Sequence, residues 1–129
     1  MEHAGDLDAF TELLGLEEFE VVDFARDRKS QLVRFTLVPK VGEGLCPHCR
    51  TLCEKRHSTG DHVVLDLPML GCRTELIVRA PQYQCETCHR FFTPRYAAIA
   101  QGMHATVRLL EKLGQLVKHG DVAGAAAFF

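Results

Sequence analysis

Two short pieces, Cys46-Pro47-His48-Cys49 and Cys85-Glu86-Thr87-Cys88, constrain this chain more than anything else in it. In a tight turn, a two-residue gap lets both sulfurs point at one metal ion. Two such turns complete a tetrahedral four-thiolate shell. A lone C-x-x-C is a weak signal, because thioredoxin-like redox motifs share it. The second copy makes a shared metal the reading. The interval between the two pieces, residues 50–84, holds 35 residues, longer than the ~15–20 of the shorter zinc pattern. It must fold as a unit that returns the chain to the first turn, most simply as strands. The expected cofactor is one structural Zn²⁺ held by Cys46, Cys49, Cys85 and Cys88. The same shell also accepts iron, as in rubredoxin-like proteins. Four thiolates leave no open position for water, which argues against a hydrolytic metal.

The remaining candidates are read against that shell. Cys53 lies close enough to Cys49 to replace a ligand, but it and Cys72 read first as small buried apolar residues. His48 and His89 sit in or beside the turns, where a supporting or solvent position is favoured over ligation. His57 and His62 flank the Gly60-Asp61 turn, with Asp61 between them. No Gly-rich phosphate loop, G-x-S-x-G or H-E-x-x-H occurs.

Along the chain, residues 6–14 read as a short helix capped by Asp6 and ended by Gly15. Leu7, Phe10, Leu13 and Leu14 are expected on one face. Residues 18–25 and 31–38 alternate apolar and polar as paired strands, with Asp27-Arg28-Lys29-Ser30 between them. Pro39 breaks the second strand, and Gly42-Glu43-Gly44 gives a flexible approach to Cys46. A strand over Leu52–Ser58, a turn at Gly60-Asp61 and a short strand Val63-Val64-Leu65 ended by Pro68 come next. Gly71 marks a further turn, and residues 73–80 form the clearest strand of the middle section. Residues 104–118 read as a helix with Leu109, Leu110, Leu113, Leu116 and Val117 on one side. Gly120 suits its stop, and Asp121 suits the cap of a second helix over Val122 to Phe129. The fold class is therefore α+β: a zinc ribbon-like, mostly antiparallel β unit with an N-terminal helix and a C-terminal helical segment. The boundary falls between 1–98 and 99–129.

Charge narrows the choice of partner. The net charge is −2, but residues 1–30 carry nine acids against three bases, and the rest carries eight acids against twelve bases. Any nucleic-acid surface is then a local patch, not a basic domain. Arg90, Arg95, Arg108, Lys112 and Lys118, grouped after the second turn, are the expected phosphate contacts. Taken singly, each reads as a solvated surface charge. Phe91, Phe92 and Tyr96 read as core rather than a stacking platform. No apolar run matches a membrane span, and no signal peptide opens the chain.

The run Cys-Pro-His-Cys, then Asp66-Leu67-Pro68 with Gly71, then a strand ending in Tyr83-Gln84-Cys85 resembles the N-terminal zinc-finger segment of ISL-three family insertion-sequence transposases. Phe91-Phe92-Thr93-Pro94, the leucine-rich helix and Asp121-Val122-Ala123-Gly124 resemble that family's continuation into a helix-turn-helix. The resemblance covers roughly residues 12–129. It implies binding to double-stranded DNA at the terminal inverted repeats of the element, a second copy of the chain as partner, and a cytoplasmic, nucleoid-associated location. It also implies that the acidic catalytic domain of such transposases lies beyond this sequence, so that the chain by itself is not an enzyme. A zinc-ribbon protein-interaction module is the alternative. Two positions depart from the family: Arg50 stands where Gly often follows the first turn, and Pro81-Gln82 stand where two basic residues often precede the aromatic.

Overall fold

Two long strands, β5 (Arg56–Met69) and β6 (Cys72–Gln84), form the hairpin on which the other elements are assembled. The structure is a computed structural model that describes residues 7–118. Before the hairpin come α1 (Leu7–Leu14), β1 (Phe19–Asp27), β2 (Leu32–Pro39), β3 (Gly44–Leu45) and β4 (Leu52–Cys53). After it come β7 (Phe91–Phe92), β8 (Ile99–Ala100), β9 (Ala105–Thr106) and α2 (Val107–Lys118). The main sheet runs β1-β2-β6-β5-β9-β8, with β7 also on β6, while β3 and β4 form a separate pair. The mixed α+β class expected from the sequence holds, with strands predominating. Most pairings are antiparallel, but β2 lies parallel to β6, and β9 meets β5 in parallel at Leu65 and Ala105.

The expected hairpin of the first strands forms, with Phe24 opposite Phe35. A register shift between Val21 and Asp23 moves the buried face from Phe19 and Val21 to Phe24. The extra residue of such a bulge flips every later side chain to the other face. The N–H of Val21, beside that shift, donates to the Thr11 hydroxyl at 2.9 Å, which ties α1 to the strand. Phe10 stacks on Phe24 with ring centroids 4.6 Å apart, and Phe24 meets Phe35 at 5.0 Å. Leu7 and Phe10 pack on this core and Leu14 is buried in it, but Leu13 is 81% exposed. Gly15 ends α1 with φ +69°, as its sequence position implied.

Three expectations in the middle section are corrected. Gly60 and Asp61 do not turn. They lie within β5 opposite Ala80 and Arg79, and the Asp61 carboxylate takes a 3.1 Å bond from Arg79 Nε. Pro68 does not end the strand, because a register shift between Asp66 and Met69 accommodates it. The approach Gly42-Glu43-Gly44 is closely packed at its end. A Cβ on Gly44 would lie 2.8 Å from Pro94 Cγ and 3.3 Å from Tyr83 Cδ2, so glycine serves close approach there. The turn at Gly71 is real: Leu70 and Gly71 both have positive φ, 55° and 70°, between the paired Met69 and Cys72. Two consecutive left-handed residues form the type I′ loop that matches strand twist.

The third part of the chain begins as strand. Residues 99–106, placed at the start of the expected helical segment, supply β8 and β9, and the helix read over 104–118 starts at Val107. Leu109 is buried, Leu110, Leu113 and Leu116 are half-buried, and Val117 is exposed. The expected cap at Asp6, stop at Gly120 and helix from Asp121 lie outside the described residues. No helix among the described residues is long and apolar enough to cross a membrane.

One buried carboxylate joins α2 to the sheet. Asp66 accepts a 2.7 Å bond from the Thr106 hydroxyl and a bidentate pair from Arg108 Nε and Nη2. Arg108 Nη1 also donates to the Leu14 carbonyl at 2.7 Å. One guanidinium therefore links the end of α1, the last third of β5 and the first turn of α2. The hydrogen bond to Asp66 holds the Arg108 pKa above its usual value, against the effect of burial. This explains the acidic residue of Asp66-Leu67-Pro68 as an anchor. Removing one partner of a buried pair costs about 3–5 kcal/mol, because the other charge stays buried and unpaired. Arg108→Met is expected to lower stability by about 3 kcal/mol in urea unfolding. Asp66→Leu combined with Arg108→Met should cost less than Arg108→Met alone. A double variant as unstable as the sum of the two singles would contradict the anchor.

Candidate metal centre

The two C-x-x-C pieces form turns of the same geometry. In the first, Cys46 N–H donates to the Thr51 carbonyl at 2.9 Å, and Arg50 N–H donates to the Cys46 carbonyl at 2.8 Å. In the second, Cys85 N–H donates to Arg90 and His89 N–H to Cys85, both at 2.9 Å. Arg50 and His89 occupy equivalent positions with φ +59° and +61°. Left-handed backbone is the conformation glycine adopts at least cost, so both turns hold a side chain where glycine would fit with less strain. Each turn is closed by a small ladder. Gly44 faces Cys53 and Leu45 faces Leu52 in the first, while Tyr83 faces Phe92 and Gln84 faces Phe91 in the second.

The hairpin brings the turns together. Arg56 pairs with Tyr83 at its base, and Gln84 N–H donates to the Lys55 carbonyl at 3.1 Å. The Sγ atoms of Cys46, Cys49, Cys85 and Cys88 all lie within 4.8 Å of one another. Cys49 and Cys85 are 3.3 Å apart, and Cys46 and Cys88 are 3.6 Å apart. A tetrahedral ion with bonds of about 2.3 Å sets sulfur atoms about 3.8 Å apart, so the group is at metal-ligand spacing. Soft donors in this number suit Zn²⁺. Bound there, the ion would take the place of the thiol protons and cross-link the two turns. Among the described residues this is the cluster of potential ligands that the fold assembles.

Backbone N–H groups prepare two of the sulfurs for the charged form. The amide of Cys88 lowers the Cys85 pKa to about 6, against burial and with help from Cys49 and the Thr87 amide. Burial opposes the same change at Cys46, but the amides of Cys49 and His48 outweigh it and lower that thiol as well. Cys88 is pushed up to about 11. The Arg90 amide favours its thiolate, but burial and the neighbouring sulfurs prevail. A metal binding here has to displace the protons the cluster retains. Thr51 adds a hydroxyl 3.2 Å from Cys49 Sγ and 3.3 Å from the Thr87 hydroxyl. No residue pattern signals this support, which depends on the two turns facing each other.

The spare cysteines stay out of the shell. Cys53 is buried beside it, with Sγ donating to the Thr51 carbonyl at 3.3 Å, and burial next to Cys85 raises its pKa to about 11. Cys72 is buried in the main core. Neither His48 nor His89 joins the cluster. His48 Nδ1 instead accepts from Arg90 Nη1 at 2.9 Å, a contact between the two turns. His57 packs against Phe91, and His62 lies elsewhere along β5.

The basic residues are dispersed. Arg90 and Arg95 are exposed near the second turn, and Lys112 and Lys118 are exposed on α2. Arg108, expected among the phosphate contacts, has a different partner: all three of its nitrogens are committed to Asp66 and Leu14.

Residues 43–88 match the family described as the zinc-finger of transposase IS204/IS1001/IS1096/IS1165. The matched stretch contains all four clustered cysteines. No curated protein and no solved structure matches the chain.

The ligand set makes a direct prediction. Structural zinc contributes about 10–16 kcal/mol, comparable to the whole stability of a domain, about 5–15 kcal/mol. Cys85→Ser is expected to lose bound zinc and the order of both turns, whereas Cys53→Ala should keep a full equivalent. Elemental analysis of freshly purified protein checks both. Full zinc in Cys85→Ser, or its loss in Cys53→Ala alone, would reassign the ligands.

Proposed function

We propose that this chain is a zinc-stabilised DNA-binding segment of a transposase of the ISL-three type, acting in recognition of the element's terminal inverted repeats. The observation that carries the proposal is the coincidence of the zinc-finger match at residues 43–88 with the four-sulfur cluster. In this reading β3, β4 and β7 with the base of the β5–β6 hairpin form a zinc ribbon, and α2 opens a helix-turn-helix. The metal is structural, because a closed thiolate shell leaves no position for an activated water. In this reading the metal site takes no part in cutting or joining DNA, and the chain occupies the terminal repeats as a homodimer in the cytoplasm, on the nucleoid.

Arg90, Arg95, Lys112 and Lys118 supply the phosphate contacts, and Arg108 holds α2 in place behind them. A protein–protein role is the second reading. It is favoured by Leu45 and Leu52, which face each other across the first turn and are 58% and 55% exposed.

Titrating a labelled duplex at several salt concentrations tests the proposal. Each neutralised phosphate contributes about −0.9 to the slope of log K against log salt, so four contacts give roughly −3.6. Changing Lys112 and Lys118 to Gln should bring the slope to roughly −1.8 and weaken all sequences alike. No binding at low salt, or an unchanged slope in that variant, would favour the protein–protein reading.

A further inference from the structure

A groove of about 460 Å³ lies beside the first cysteine turn and is not used by the metal. That volume falls in the ~300–1,000 Å³ range of small-ligand clefts. Its floor is the apolar face of the hairpin, from Val64, Val78 and Ala80. The wall is Tyr96, from the segment between β7 and β8, and Ile99, which opens β8. The Glu18 carboxylate holds this wall, accepting from Ala97 N–H at 3.0 Å and Ala98 N–H at 2.9 Å. Arg95 supplies positive charge, His62 and His104 add hydrogen-bonding capacity, and the carboxylate behind the wall, Glu18, is taken up by the Ala97 and Ala98 amides.

We propose that this groove takes one unpaired nucleotide of bound DNA, with its base on the apolar floor against Tyr96 and its phosphate on Arg95. The proposal rests on the DNA-binding reading and deepens it. Charge complementarity selects the occupant: the Arg95 guanidinium, with no carboxylate among the lining residues, suits an anion, and the apolar lining of Val64, Val78, Ala80 and Tyr96 suits the face of a base. The two imidazoles offer partners for base edges. Position agrees as well, since Arg95 is among the proposed duplex contacts and His104 immediately precedes β9, which leads into α2. Stacking and apolar contact with a base are sequence-tolerant, so the groove reads an unpaired state more than a sequence.

The test compares a blunt duplex with the same duplex carrying one unpaired 2-aminopurine nucleotide. The unpaired form is expected to bind about fivefold or more tightly, with a change in 2-aminopurine fluorescence. Arg95→Gln and, separately, Ala100→Leu, which places a larger side chain in the groove, should each abolish most of that preference. Zinc content and circular dichroism establish that the variants fold. Equal affinity for the two duplexes, or a preference that survives both substitutions, would overturn the proposal. If neither duplex binds, the DNA-binding reading fails on its own. The groove is then tested with free deoxyadenosine monophosphate by amide chemical shifts. Shifts at Val64, Val78, Ala80 and Tyr96 would retain a nucleotide site. Their absence, or shifts with an acidic aromatic peptide only, would overturn it.

Discussion

The convergence of four sulfurs from two separate turns is the constraint on which the rest of this structure depends. The turns are far apart in sequence, yet the β5–β6 hairpin leaves and returns at the same place, with Arg56 opposite Tyr83. The first turn therefore enters the hairpin and the second leaves it. The buried residues around them, Cys46, Cys53, Tyr83, Cys85 and Phe92, make a cluster distinct from the main core. So small an apolar cluster contributes little by itself, and small units of this kind commonly rely on metals. A metal held by the four sulfurs would cross-link this end of the long hairpin, and the phenylalanine-rich core packs near the other.

The Asp66–Arg108 pair carries this order to the helix. Asp66 lies on the strand that begins beside the first turn, and Arg108 lies in the first turn of α2. The exposed lysines of α2 are thus placed relative to the metal end by a polar contact more than by apolar burial, since only Leu109 of that helix is fully buried. A guanidinium fixed on a buried carboxylate gives direction as well as energy.

Much of the site was legible because its chemistry is local. The C-x-x-C spacing identifies four residues that the fold does bring together, and alternation identified β1 and β2. What escaped reading depends on distant partners. Gly60-Asp61 carries turn chemistry, but strand pairing with Arg79 and Ala80 decides its conformation. Arg108 looks like its basic neighbours in sequence, and only the buried Asp66 distinguishes it. Leu13 fits an apolar count, but it falls off the face that Leu7, Phe10 and Leu14 share. The groove had no sequence signal at all, because it is made by a loop lying over the hairpin.

X-ray absorption at the zinc edge of the purified protein is the most direct test of this account. The account predicts about four sulfur neighbours at about 2.3 Å and no light-atom shell. Nitrogen scattering from an imidazole, or a coordination number well below four, would contradict a closed shell of Cys46, Cys49, Cys85 and Cys88.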